Sequence, residues 1–343
     1  MAVFFIAEAG VNHNGDPELA KRMVEVAHWA GADAVKFQTF STEKVVGRNA
    51  QKAAYQEEQT GGGSQYDMIK PLEMSHELHR TLFDRCRELG IEFMSTAFDE
   101  ESADFLVELG IRRIKIPSGE ITNFPFLRHL ARVDLPLILS TGMATMDEIF
   151  EALEVIGQTR LEQGYQAALS DVLTILHCTS NYPAAVSDVN LRAMRTIADR
   201  TGYPVGYSDH TLGTAVSTAA VALGAQIIEK HFTLDSNLPG PDHRASAEPD
   251  ELKRLIGQIR DVEQALGSTD KAPTEAEMNV RAVARRSVTA ARDLEAGHQL
   301  ASEDLALMRP GTGIPPKQLA DVAGRRLKSG VAAGTPISWA DLD

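Results

Sequence analysis

Two short fragments of this chain concentrate groups able to do chemistry, Gly206-Tyr-Ser-Asp-His-Thr211 and Glu229-Lys-His-Phe-Thr233. Each closes an apolar run, Val205 to Tyr207 in one case and Ala225-Gln-Ile-Ile in the other. That pattern puts His210 and His231 at the C-terminal ends of two consecutive strands. Either histidine alone would be accounted for as a half-buried strand-end cap. Together, beside Ser208, Asp209, Glu229 and Lys230, they point to a pair of imidazoles sharing one divalent metal.

Further reactive side chains follow the other apolar runs. Glu8 closes the first, Lys36 and Gln38 the second, and Ser95 and Thr96 the third. Lys115, Ser118 and Glu120 follow the fourth, Ser140 and Thr141 the fifth, and Thr179, Ser180 and Tyr182 the sixth. Singly these would be helix caps or solvated surface. Converging, Lys36 and Lys115 with the hydroxyls of Thr96, Ser118, Ser140 and Ser208 make a cradle for a phosphate and a carboxylate, charge from lysine and short directional donors from hydroxyls. Glu8 and Glu120 could act as general bases or hold sugar hydroxyls. No Walker loop or dinucleotide fingerprint occurs, which argues against nucleotide chemistry.

The elements that must position these groups alternate. Strand candidates are Val3–Ala7, Ala34–Phe37, Glu92–Ser95, Arg113–Ile116, Leu137–Leu139, Thr174–His177, Val205–Tyr207 and Ala225–Ile228. Eight strands separated by helical patterns predict an α/β fold, a parallel sheet closed as a (β/α)8 TIM barrel with reactive groups at its C-terminal face. Asp16-Pro17 supplies an N-cap and a proline at the first helical position, and Thr145 with Glu148 forms a capping box. Residues 40–74 interrupt the rhythm with a long polar connection containing Gly61-Gly-Gly-Ser64, the pattern of a lid or substrate-binding loop. A polar, breaker-rich stretch at 267–282 predicts a linker between a barrel over 1–266 and a small β-rich domain over 283–343. In the latter, short runs at Arg286–Ala290, Leu305–Met308 and Gly330–Ala332 are punctuated by glycines.

With 343 residues, 43% hydrophobic and 24% charged, the composition is that of an ordinary globular chain. A net charge of −14 argues against nucleic acid as a partner but not against small anions held by a few lysines. Two cysteines, Cys86 and Cys178, read as reduced thiols, and no apolar run approaches a membrane span. Nor does the run at Val3–Ala7 follow a basic leader, so the expected location is the cytoplasm.

At this resolution of motifs the chain resembles the bacterial sialic acid synthase family. Ile6-Ala-Glu-Ala-Gly-Val-Asn-His-Asn-Gly15, Val35-Lys-Phe-Gln-Thr39, Lys115-Ile-Pro-Ser-Gly-Glu120, Leu139-Ser-Thr-Gly-Met143 and His177-Cys-Thr-Ser-Asn-Tyr-Pro183 carry the resemblance with the two histidine fragments. It continues through Gly240-Pro-Asp-His243, and Arg309-Pro-Gly-Thr-Gly313 resembles the antifreeze-like, β-clip-type domain of those enzymes. The resemblance implies a transferase that condenses phosphoenolpyruvate with the open-chain aldehyde of N-acetylmannosamine, giving N-acetylneuraminic acid and phosphate. A sister reaction with 2,4-diacetamido-2,4,6-trideoxymannose, giving N,N'-diacetyllegionaminate, would use the same motifs. Discrimination between the sugars is expected in the 40–74 loop and around Asp242-His243.

By the same resemblance, His210 and His231 hold Mn2+, with Mg2+ or Co2+ as substitutes. Phosphoenolpyruvate falls to Lys36, Thr96, Lys115, Ser118, Ser140, Ser180 and Ser208. The sugar falls to Glu8, Gln38, Tyr182, Asp242 and Arg309, the last reaching across a domain-swapped homodimer, and Glu8, Glu120 and Glu229 handle protons. Some relatives carry an asparagine in place of Ser180, and some have an N-terminal extension covering the barrel bottom, which here must be closed another way.

Two other classes were weighed against this. A Schiff-base aldolase could use Lys36, Lys115 or Lys230, but an imine lysine needs a desolvated pocket, and hydroxyls beside a histidine pair suit an ionised amine better. A non-enzymatic ice- or glycan-binding tail would need the regular threonine spacing that residues 283–343 lack.

Overall fold

The computed structural model describes residues 2–343. Two compact units divide the chain at Gly267/Ser268. In the first, strands β1 (Phe4–Gly10), β2 (Ala34–Thr39), β3 (Glu92–Ala97), β4 (Ile114–Ile116), β5 (Leu137–Ser140), β6 (Leu173–Cys178), β7 (Val205–Asp209) and β8 (Ile227–His231) close in sequence order into a parallel barrel. A helix follows each strand on the outside, from Pro17–Ala30 after β1 to Pro249–Leu266 after β8. The local signals act as expected: Asp16 accepts from the amides of Glu18 and Leu19, and Thr145 with Glu148 closes a capping box.

The strand period of two separates the barrel's two faces. Outward residues such as Phe5, Val35, Phe93, Ile116 and Leu139 join the helices in the main core. Inward, Ile6, Ala34, Met94, Ile138, Leu176 and Ile227 form an apolar layer packed against Phe4. One turn of the pleat higher, the inward positions are Glu8, Lys36, Thr96, Lys115, Ser140, Ser208 and Glu229, all buried. Register fixes this second layer, pairing Glu8 with Lys36 and His231, Thr96 with Lys115, and Ser208 with Glu229. Gly206 is required beneath it, because a Cβ there would lie 2.5 Å from the Ile227 carbonyl oxygen and 2.6 Å from Leu176 Cδ2.

The N-terminal end of the barrel is closed by Arg113. Its guanidinium lies 4.0 Å from the Phe4 ring centroid. It also donates to both oxygens of Glu92, at 2.7 and 3.0 Å. A stacked, bidentate arginine thus lids the apolar layer.

Residues 40–74 are not an open loop. Short helices at Thr42–Val45, Ala54–Thr60 and Gln65–Ile69 follow one another, with a 3-10 turn at Lys70–Leu72 and the three glycines between the second and third. In the second unit, β9 (Ser287–Ala290) and β10 (Leu305–Met308) pair antiparallel. The unit has its own core of Val288, Leu294, Leu300, Ile314, Val322, Leu327, Ile337 and Leu342. Two expectations are corrected here. Residues 330–332 form no strand, only an isolated bridge between Leu294 and Val331. The stretch at 267–282 is not irregular throughout, since Glu275–Ala284 is helical behind a Thr274 cap.

Candidate active site

At the C-terminal ends of the strands lies a cavity of about 410 Å3. Glu8, Lys36, Gln38, Thr96, Lys115, Ser118, Ser140, Ser180, Tyr182, Ser208, His210, Glu229 and His231 all line it. Three residues given a catalytic or substrate-binding role from the sequence do not. Glu120 ends the 3-10 turn Ser118–Glu120, where 120° per residue turns it away from Ser118, and its carboxylate accepts from Asn123 Nδ2 at 2.6 Å. Asp242 lines a second cavity of about 240 Å3, in common with Gln38, Tyr182 and His231. Arg309 belongs to the second unit and is exposed just beyond β10.

The floor is an alternating charge cluster. Lys36 Nζ lies 2.6 Å from Glu8 Oε2, donates to Thr96 Oγ1 at 2.9 Å and lies 3.6 Å from Glu229 Oε2. Lys115 Nζ and Ser208 Oγ each donate to Glu229 Oε1 at 3.0 Å. Burial alone would raise Glu229, but the Lys115 and Lys36 charges overcome it and hold the group ionised, far below the usual carboxylate range. Burial wins at Glu8, with the Glu229 charge adding to it, and the pKa rises to about 7 against the pull of Lys36. Burial lowers Lys115, while the two carboxylates raise Lys36. Two lysines and two carboxylates thus nearly balance, with one carboxyl poised to exchange a proton near neutrality. Ser140 Oγ is buried with no protein partner among the described residues, a donor free for a ligand.

Above the floor stand the histidines, ring centroids 5.5 Å apart. His210 Nδ1 donates to the Thr179 carbonyl at 2.7 Å, which fixes its tautomer and leaves the Nε2 lone pair free. His231 Nδ1 is buried without a partner. Burial lowers the pKa of both rings, and at His231 the neighbouring His210 lowers it further. Two neutral imidazoles with free lone pairs suit a divalent ion. Among the described residues no three His, Cys, Asp or Glu side chains cluster so as to hold a metal, so water and substrate oxygens would complete the sphere.

Sequence reasoning left out several cavity residues. Behind the lining, Gly142 donates its amide to Ser118 Oγ at 2.8 Å, and a Cβ there would fall 2.2 Å from Ser180 Oγ. Cys178 Sγ lies 3.2 Å from Ser118 Oγ, and both cysteines are free thiols. From the 40–74 segment come Tyr55, Gln56 and Gln65. Tyr55 stacks on Tyr182 at 5.3 Å, and Tyr182 lies 4.1 Å from the His210 ring. The polar character of that segment marked it as a binding loop, but nothing in its sequence singled out these three side chains.

A closed eight-stranded barrel carries this lysine-carboxylate floor and histidine pair at its C-terminal face, and the comparisons with known proteins give its class, a barrel synthase. The chain belongs to the NeuB family, matched over residues 23–271, with a SAF domain over residues 285–343. It is an enzyme, a phosphoenolpyruvate-dependent synthase that forms a C–C bond. It is 53% identical to the N,N'-diacetyllegionaminic acid synthase of Legionella pneumophila, over all of this chain (100%) and 95% of that one. The enzyme of the same name from Campylobacter jejuni is 45% identical over 93% of this chain and 94% of its own. Among solved structures, an N-acetylneuraminic acid synthetase from Leptospira borgpetersenii superposes with a TM-score of 0.71 at 35% identity, covering 82% of this chain and 90% of that one. No helix among the described residues is long and apolar enough to cross a membrane.

Proposed function

We propose that the protein is an N,N'-diacetyllegionaminate synthase, joining phosphoenolpyruvate to open-chain 2,4-diacetamido-2,4,6-trideoxymannose with release of phosphate. The motifs alone put N-acetylmannosamine first. The relatives favour the other sugar, because the chains at 53% and 45% identity carry the legionaminic name and the sialic acid synthetase stands at 35%.

The observation that carries the reading is the buried Lys36 and Lys115 pair, set between Glu8 and Glu229 beneath two neutral histidines. Phosphoenolpyruvate is a small trianion, and two lysines with the hydroxyls of Thr96, Ser118, Ser140, Ser180 and Ser208 match its phosphate and carboxylate. A divalent ion on His210 and His231, Mn2+ first and Mg2+ or Co2+ in its place, would polarise the sugar aldehyde. Lys36 and Lys115 orient the enol so that its C3 faces the aldehyde carbon. As that bond forms, the aldehyde oxygen takes the proton of Glu8 and C2 becomes electrophilic. Water adds to C2, one proton returning to the Glu8 carboxylate, and the C2–O bond to phosphate breaks as the C2 hydroxyl becomes the ketone and its proton leaves with phosphate. Glu8, with a pKa near 7, is suited to that exchange. Gln38, Tyr182 and Asp242 lie along the sugar. The reading extends to a homodimer exchanging small domains, in which the partner subunit's Arg309 reaches the N-acetyl group.

Phosphate release in the presence of manganese, with the two sugars compared, tests this. Preference for the diacetamido sugar is expected. Preference for N-acetylmannosamine would return the enzyme to sialic acid synthesis, and no release with either would overturn the condensation.

A further inference from the structure

The second cavity shares Gln38, Tyr182 and His231 with the first but none of the lysine floor. A sugar whose aldehyde sits at the histidines, with phosphoenolpyruvate on the lysines, can therefore extend its far carbons into this side chamber. Residues 40–74 build much of its wall. Val45 and Val46 lie at the end of the helix Thr42–Val45, and Gln65, Met68 and Ile69 share one face of the helix Gln65–Ile69 by their i, i+3, i+4 spacing. Phe40 adds a ring, itself edge-on to Phe98 at 6.2 Å. Against this apolar surface Asp242 is the one charged group; Gln38 and Gln56 line the chamber as well, and Gln65 offers an amide on the same helix face as Met68 and Ile69. The third anchor is Tyr55, which holds the segment against Tyr182.

We propose that this chamber is the specificity site for the distal end of the sugar. Val46, Met68 and Ile69 receive a C6 methyl group, and Asp242 with Gln65 receives the acetamido group at C4. The inference rests on the proposed synthase reading and deepens it. An apolar wall cannot hydrogen-bond a C6 hydroxyl, so a 6-deoxy sugar desolvates there at no polar loss, while a 6-hydroxy sugar leaves one group unpaired. Such walls reject an added hydroxyl by about 10- to 100-fold and not more.

The test compares kcat/KM for N-acetylmannosamine and its 6-deoxy analogue, which differ by one oxygen, in the wild type and in Val46→Asn and Met68→Gln. The wild type is expected to favour the 6-deoxy sugar by about tenfold. Each variant should cut that ratio towards one while the KM for phosphoenolpyruvate stays within about twofold, since neither residue faces the lysines. Val46 caps one short helix and Met68 sits on another, both partly exposed and outside the barrel core, so two independent chances of a folded protein exist. Equal use of the two sugars by the wild type, or an unchanged ratio in both folded variants, would overturn the inference. Failure of the legionaminate reading is seen separately, as wild-type preference for N-acetylmannosamine over the diacetamido trideoxy sugar, and it leaves the one-oxygen comparison decisive for the chamber.

Discussion

Lys230 Nζ lies 2.9 Å from Asp209 Oδ2, both side chains all but fully buried on the outer side of β8 and β7, directly behind the histidine pair. Lys230 also donates to the Thr211 carbonyl at 2.7 Å, while Asp209 accepts from the Thr211 amide and hydroxyl and from Ser217. This pair ties the turn that carries His210 to the strand that carries His231. It also explains why Lys230, weighed from sequence as an imine former, does no chemistry: alternation along β8 points it away from the cavity.

Breaking this pair leaves an uncompensated buried charge. Lys230→Met is expected to lose about 3–5 kcal/mol of stability, read by denaturant unfolding. Adding Asp209→Leu should cost less than a second loss of that size, because the orphaned carboxylate goes with it. A Lys230→Met protein as stable as the wild type would contradict the structural role.

Lys115 makes the opposite prediction. Its ammonium sits on the cavity floor against Glu229, so Lys115→Met should leave the barrel folded and raise the KM for phosphoenolpyruvate by about 10- to 100-fold, the worth of one charge-assisted hydrogen bond. The KM for the sugar should move far less. Equal losses on both substrates would mean that the floor is not where phosphoenolpyruvate binds.

Much of this was legible in the sequence, and the exceptions have physical causes. All eight strands were placed, yet several were ended one to three residues early, as with β8 stopping at Ile228 where it runs to His231. Polar residues read as loop, but inside a barrel the second inward layer is polar because it is the active site. Glu120 followed a strand as Glu8 does, and only the 3-10 turn, invisible in residue type, turns it away. Arg113 opened a strand candidate, and nothing in the sequence set Phe4 and Glu92 on either side of it. Tyr55 and Met68 lie in a stretch without periodicity, so no pattern could assign them a face.

Asp242 gives a pH prediction. Burial lifts its pKa from 3.8 to about 6, and no protein donor among the described residues reaches its carboxylate. Between about pH 4 and pH 6 the folded chain keeps a proton that the unfolded chain has released, so stability falls as pH rises through that window. Above pH 6 the ionised group costs the unliganded protein on the order of 3 kcal/mol. Asp242→Asn should therefore raise Tm at pH 7.5 and leave it unchanged at pH 4, while weakening sugar binding. A variant equally stabilised at both pH values would show that charge is not the cause.

Two glycines separate fold from function in one comparison. A Cβ on Gly206 would meet backbone, the Ile227 carbonyl oxygen at 2.5 Å, and the strands cannot part without opening the barrel. Gly206→Ala should thus cost stability, about 1–3 kcal/mol as overpacking does, measured by thermal unfolding. The three atoms nearest a Cβ on Gly142 would all belong to side chains, Ser180 Oγ at 2.2 Å, Cys178 Sγ at 2.9 Å and Ser118 Oγ at 3.0 Å. Those can rotate, and the fold survives, but two of the hydroxyls that would cradle phosphoenolpyruvate leave their places. Gly142→Ala should then keep its Tm within a few degrees and lose about 100-fold in kcat/KM for phosphoenolpyruvate, the worth of two displaced donors. If Gly142→Ala instead kept its activity, Ser118 and Ser180 would have no part in holding that substrate, and the anion site would reduce to Lys36, Lys115 and the hydroxyls of Thr96, Ser140 and Ser208.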